Sequence, residues 1–145
     1  MKKTLTILIM IMLSSKGYSQ AFLGAHGNSL GIGLHAGVES GSIAFQMGYN
    51  KAVFSSEAPT LLYSTIGYIY KFSQEEPFSI SFNAGGAYSQ GKKVSKDYGI
   101  VTPVNKFVGM GNIEVRKQWY RGILFVNCGY VDKVYYGMGI KCFLN

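Results

Sequence analysis

The residues best suited to chemistry lie near the start of the chain, at His26, Ser29 and His35. The stretch G27-N-S-L-G31 matches the G-x-S-x-G pattern, which in serine hydrolases places a nucleophilic serine on a sharp strand-to-helix turn. Such an elbow needs a helix after the serine, and an acid and then a histidine further along the chain. The last histidine follows Ser29 by only six residues, and no helical pattern follows. We therefore interpret the match as a tight turn.

Two other chemistries would use the same residues. A metal site at His26 and His35 lacks the cysteines or clustered carboxylates that would complete a ligand set. A lipid-modifying enzyme would need a serine, a histidine and an acid at one rim, for which His26, Ser29 and Asp97 are the candidates. Short matches without geometry predict catalysis poorly, so we expect no enzyme, no metal and no cofactor.

The elements that must position these residues are β-strands. In S42-I-A-F-Q-M-G-Y-N50, bulky apolar residues alternate with small or polar ones, and this period of two is typical of a strand. Seven such segments are clear. They cover residues 30–38, 42–50, 61–72, 77–88, 107–117, 123–130 and 134–144.

Strand direction predicts an eighth strand. Two longer connections, at residues 51–60 and 89–105, belong on one side if successive strands alternate in direction. The strand at residues 30–38 must then be preceded by one that crosses in the opposite sense, for which residues 20–26 are the candidate. A tight turn at residues 27–29 would follow, favoured because positive φ costs Gly and Asn little. Pro59 and Pro103 fall in predicted connections, and Pro77 lies where the predicted turn at residues 73–77 meets the next strand.

The first nineteen residues are typical of an export signal. Lys2 and Lys3 precede an apolar run at residues 5–13, and small residues precede position 20. The run is shorter than the roughly 20 residues that a transmembrane helix needs. We predict a signal peptide at residues 1–19 and a single exported domain at residues 20–145.

The charge of the chain is mildly basic. Of 14 basic residues against seven acidic ones, three lie in the predicted signal peptide, which leaves eleven in the exported domain. They are scattered or sit in one loop, and they form no continuous stripe of the kind that binds nucleic acid. We therefore expect no nucleic-acid partner.

The polar face of the strands is a poor surface for water. Exposed surfaces of soluble proteins carry about 25–35% charged residues, whereas this face is mostly Gly, Ser, Asn and Ala, with charges only at Lys71, Glu114, Arg116 and Lys141. Small residues suit the narrow interior of an eight-stranded barrel, and the opposite, apolar face suits lipid. The alternative is a soluble secreted β-barrel that binds an apolar ligand inside.

Aromatic residues fall at both ends of the strands, as membrane interfaces favour. Phe72, Phe78, Trp119 and Tyr120 lie toward the short turns, and Tyr49, Tyr88, Tyr130 and Tyr136 lie toward the long connections. In a soluble protein the same residues would be ordinary core aromatics.

With this pattern and strand count, the chain resembles the small eight-stranded outer-membrane β-barrel family, the OmpA/OmpX-like barrels. The resemblance implies an all-β, antiparallel, up-and-down transmembrane barrel in the outer membrane, in contact with outer-membrane lipid. The closing strand at residues 135–145 is similar to the one that the barrel-assembly machinery reads in such families, although it ends on Asn145 and not on an aromatic residue.

Two groups of polar residues are candidate sites. Lys71, Glu114, Arg116 and Lys141 are predicted to form an ion cluster that plugs the lumen near the periplasmic mouth, because charges held away from water must be paired. Lys92, Lys93, Lys96 and Tyr98 lie in the longest connection, where they would contact lipid phosphates or an unknown anionic partner outside the cell. A merely solvated loop is the simpler interpretation.

The cysteines test the strand register. A turn centred on Asp132 places Cys128 opposite Tyr136 and Cys142 opposite Gly122, too far apart for a disulfide. We predict two free thiols in the apolar band. The function we predict is that of a small outer-membrane barrel with a plugged lumen, which has a structural or surface-interaction role through its outward loops.

Overall fold

The computed structural model describes residues 19–53, 60–73, 76–94 and 101–144, with backbone only at 92–94 and 101–103. It contains eight strands. They are β1 (Ser19–Asn28), β2 (Gly31–Ser40), β3 (Ile43–Lys51), β4 (Thr60–Lys71), β5 (Phe78–Val94), β6 (Val101–Trp119), β7 (Gly122–Val131) and β8 (Lys133–Leu144). The predicted signal peptide lies outside the described residues, except for Ser19, which begins β1.

The strands form one closed antiparallel barrel. Each strand pairs with the next along the chain, and β1 pairs with β8 from Ala21↔Leu144 to Asn28↔Gly137. The eighth strand predicted before residue 27 is therefore present and completes the ring. Closure gives each strand of the ring a hydrogen-bonded neighbour on both sides, as a bilayer requires. Within the described residues, no helix is long and apolar enough to span a membrane.

The polarity of the wall is inverted relative to a soluble barrel. Phe82 and Ile140 are 50% and 37% exposed on the outside, and Phe45 alternates with the buried Ala44 and Gln46. Most of the large apolar side chains that are described thus point away from the barrel axis, as the sequence predicted.

The register predicted from the cysteines is confirmed. Cys128 pairs with Tyr136, and Cys142 pairs with Gly122. Both thiols are free and exposed on the outer face.

The first hairpin turn is displaced from its predicted place. The strand continues to Asn28, and Ser29 and Leu30 form the turn. Asn28 Oδ1 accepts hydrogen bonds of 2.9 Å from the backbone N–H groups of Leu30 and Gly31. This cap replaces the positive φ expected of Gly27 and Asn28, neither of which is in that region.

The longest connection is shorter than predicted. Strands β5 and β6 continue to Val94 and from Val101 as a two-stranded ribbon, and Pro103, expected in a loop, pairs with Lys92. Pairing of β6 with β7 begins only at Gly111. Above that point β6 has a free edge, where a residue without an N–H is tolerated.

Candidate functional site

The barrel interior holds the largest group of buried polar side chains among the described residues. Glycines on one strand face rings on the next: Gly48 faces Tyr63, and Gly129 faces Tyr135. A Cβ at Gly48 would lie 2.5 Å from Cζ of Tyr63. The glycines therefore leave space for aromatic rings inside a narrow barrel, and the interior is more aromatic than the small-residue face predicted.

Lys141 and Glu114 form a buried ion pair. Lys141 Nζ donates to Glu114 Oε2 at 2.7 Å. The ammonium also lies 5.1 Å from the ring centroid of Phe22 and 5.0 Å from that of Phe125, within the range of a cation–π contact. The positive charge is thus held by one carboxylate and two ring faces.

Arg116 forms an ion pair with Glu39, a residue that lies outside the predicted strands. Its Nη2 donates to Glu39 Oε1 at 2.5 Å. The predicted strand ended at residue 38, but β2 continues to Ser40, and Glu39 lies opposite Ala44, whose side chain is buried inside the barrel. Strands β2 and β6 are four places apart in a ring of eight. The pair therefore crosses the interior from one wall to the opposite one.

Lys71 lies apart from these pairs. Its side chain is exposed at the end of β4, and it forms no ion pair with any described residue. It does line the same cavity as Arg116, at the end of the barrel that carries the short turns. This end is called the lower end below. The four charges predicted as one cluster are therefore separated. Lys141 pairs with Glu114, Arg116 pairs with Glu39, which was not among the four, and Lys71 lies apart from both pairs at the mouth of the barrel.

The two histidines contact each other in the interior. Their Nδ1 atoms lie 3.1 Å apart, so one imidazole donates and the other accepts. His35 also packs edge-on against Phe22 and Phe125. Among the described residues, no three His, Cys, Asp or Glu side chains cluster as metal ligands.

An amide network and an apolar group occupy the upper end of the interior, toward the long connections. Asn83 Nδ2 donates to Asn112 Oδ1 at 2.7 Å, and Asn112 Nδ2 donates to the Tyr135 hydroxyl at 3.0 Å. The buried apolar group beside it consists of Leu30, Leu61, Tyr63, Ala87, Val131 and Tyr135.

Little space remains between these groups of buried side chains. The cavity bounded by the histidines, Glu114 and Tyr135 has a volume of about 20 Å³, close to what one water molecule needs. Below the Arg116–Glu39 pair, toward the short turns, lies a cavity of about 290 Å³.

The predicted hydrolase residues do not form a catalytic arrangement. Ser29 lies in a strand–turn–strand hairpin, which lacks the helix of a nucleophile elbow. Its N–H donates to the Tyr136 carbonyl at 2.9 Å, and its Oγ accepts from the Tyr136 N–H at 3.4 Å. His26 contacts His35 instead. Asp97 lies outside the described residues.

The predicted surface residues are only partly described. Lys92 and Lys93 lie in the β5–β6 ribbon, of whose tip only the backbone is described, and Lys96 and Tyr98 lie outside the described residues. The aromatic residues at the opposite end are all exposed: Phe72 53%, Phe78 44%, Trp119 66% and Tyr120 86%. Lys117 Nζ lies 5.5 Å from the Phe78 ring centroid.

Comparison of the coordinates with solved structures identifies the fold. The N-terminal β-barrel domain of Pseudomonas aeruginosa OprF matches with a TM-score of 0.67 at 10% identity, over 88% of this chain and 98% of that one. The chain has the fold of a small outer-membrane β-barrel. A designed transmembrane β-barrel matches with a TM-score of 0.60 at 15% identity, over 88% of this chain and 96% of that one.

A third solved structure also matches the chain. Ail, the attachment invasion locus protein of Yersinia pestis, solved in complex with the heparin analogue sucrose octasulfate, matches with a TM-score of 0.52 at 12% identity, over 86% of this chain and 96% of that one. No protein-family model and no curated protein sequence matches the chain.

Proposed function

We propose that this protein is a structural barrel of the outer membrane with a closed lumen, whose interactions are made by its outward loops. It neither catalyses a reaction nor conducts solutes. The inverted polarity of the wall carries this proposal, because an apolar outer face with buried ion pairs inside suits lipid and not water.

The closed lumen is supported by three layers of side chains. The Arg116–Glu39 pair spans the barrel at the lower level, the Lys141–Glu114 pair and the histidines occupy the middle, and the apolar group lies at the upper end. An interior of eight strands is only wide enough for side chains. A cavity of about 20 Å³ between these layers leaves no room for a hydrated ion.

The same cavity argues against the soluble alternative. A secreted barrel that binds an apolar ligand needs a pocket of about 300–1,000 Å³ lined mainly by apolar groups. Here the middle of the barrel is filled by its own polar side chains, while large apolar residues such as Leu34 and Met138 are 67% exposed outside.

The interacting surface that we propose is the β5–β6 ribbon, which extends past the pairing with β7. Lys92 and Lys93 in the ribbon, together with Lys96 further along the chain, would contact lipid phosphate or an anionic partner by charge attraction. If changing all three to Gln leaves binding to anionic lipid unaltered, the role of the barrel is structural and not adhesive.

Conductance across a planar bilayer tests the closed lumen. We expect no conductance steps from the wild-type barrel. The double variant Glu39→Ala/Arg116→Ala removes the lower pair and its volume, and it should also stay closed, because the middle and upper layers still fill the lumen. Steps from the wild type would refute the closed lumen. Recovery of the protein in the soluble fraction without detergent would refute the membrane location.

A further inference from the structure

The cavity below the Arg116–Glu39 pair, here called the lower vestibule, is lined mainly by polar side chains. It has a volume of about 290 Å³, many times that of the space in the middle of the barrel. Its polar lining comes from five strands and consists of Gln20, Glu39, Lys71, Ser79, Arg116 and Gln118.

Arg116 lines this cavity and carries unpaired donors. Its side chain is 2% exposed, and only Nη2 is engaged by Glu39. Nε and Nη1 are buried and have no hydrogen-bond partner among the described residues. Together they carry three N–H donors, and leaving buried donors unpaired costs free energy.

The described lining residues give the vestibule a net positive charge. The carboxylate of Glu39 is engaged by Arg116, whereas Lys71 has no acidic partner among the described residues. The Ser79 hydroxyl and the amides of Gln20 and Gln118 add neutral donors. Several walls thus carry donors, and the one carboxylate among the described lining residues is already paired.

We propose that the lower vestibule binds a phosphate group, with Arg116 as the buried anchor and Lys71 as the cation at the mouth. A tetrahedral oxyanion accepts hydrogen bonds from several directions at once, as donors on opposite walls require, and hydrogen bonds between ionised partners are the strong ones. The group belongs either to free phosphate or to a phospholipid headgroup at the barrel rim. This site goes beyond the proposed function and does not depend on the lumen being closed.

Calorimetric titration of the full chain in an uncharged maltoside detergent tests the proposal, with inorganic phosphate in one arm and phosphatidylglycerol in mixed micelles in the other. We expect saturable binding in at least one arm, about tenfold weaker in Lys71→Gln. Lys133→Gln is the matched control, since it removes the same charge at the opposite end of the barrel, and it should bind as the wild type does.

A second measurement places the phosphate at Arg116. The ¹⁵N–¹H resonance of Arg116 Nε should shift on addition of phosphate or phosphatidylglycerol, while that of Arg121, whose guanidinium stacks on Tyr120 outside the vestibule, should not. Absence of binding in both arms would overturn the proposal. Equal weakening in Lys71→Gln and Lys133→Gln would also overturn it, by showing attraction to net charge alone.

Discussion

Lys141 on β8 and Glu114 on β6 meet inside the barrel, with Nζ 2.7 Å from Oε2 and side chains only 2% and 3% exposed. Strand β7 separates them in the wall, so the contact depends on the inward direction of both side chains. Removal of one partner leaves a buried charge uncompensated, which costs more than the intact pair contributes.

Glu114→Ala should therefore destabilise the barrel strongly. We expect the free energy of unfolding in detergent to fall by about 3 to 5 kcal/mol, because the ammonium of Lys141 then keeps only its two ring contacts. Equilibrium unfolding in urea, followed by tryptophan fluorescence from Trp119, measures the change.

The double variant Glu114→Gln/Lys141→Met is the control. It removes both charges, and the thioether still packs against Phe22 and Phe125. Its loss of stability should be smaller than the sum of the losses from Glu114→Gln alone and Lys141→Met alone. Strictly additive losses would mean that the two side chains are solvated independently.

The fold was predictable because period-two alternation and turn residues are local signals. They located seven strands, and the alternation of strand direction gave the eighth. The turn at Asp132 gave the pairing of Cys128 with Tyr136. The direction of the apolar face followed from the scarcity of charge on the other face.

The partners across the lumen were not predictable by the same route. Glu39 meets Arg116 from 77 positions away, and that contact depends on ring closure and on the end of β2, which the sequence places less well than its middle. A longer β2 would have shown Glu39 at an inward position. The pairing of glycines with rings depends in the same way on exact register.

Gly48→Ala tests the match between glycines and rings. The new methyl group would lie 2.5 Å from Cζ and Oη of Tyr63, and Tyr63 is part of the buried apolar group that gives it little room to move. We expect a loss of stability of about 1 to 3 kcal/mol, measured as a lower temperature of unfolding on a gel that separates folded from unfolded barrel.

Gly109→Ala is the matched control, since no atom of the described residues lies within 4 Å of a Cβ there. This outward position of β6 should tolerate alanine or gain slightly from it. Equal losses at Gly48 and Gly109 would show that the penalty comes from the strand backbone and not from the ring.

Ile66→Arg tests the inverted polarity on which the proposed function depends. Ile66 lies in the middle of β4, between Phe45 on β3 and Ala84 on β5, and is 60% exposed. At the midplane of a bilayer, an arginine on the lipid face costs about 2 to 4 kcal/mol. In water, the same change at an exposed position has almost no cost. We expect Ile66→Arg to lower the free energy of unfolding by about 2 to 4 kcal/mol, measured by urea unfolding in lipid vesicles.

Phe72→Arg is the control for position along the strand. Phe72 follows β4 directly at the level of the aromatic residues, where an arginine costs about 0 to 1 kcal/mol because its guanidinium reaches the headgroups. A bilayer around the barrel therefore requires a large difference between the two variants. If both variants unfold at the wild-type urea concentration, the outer face meets water, and the barrel is a soluble protein.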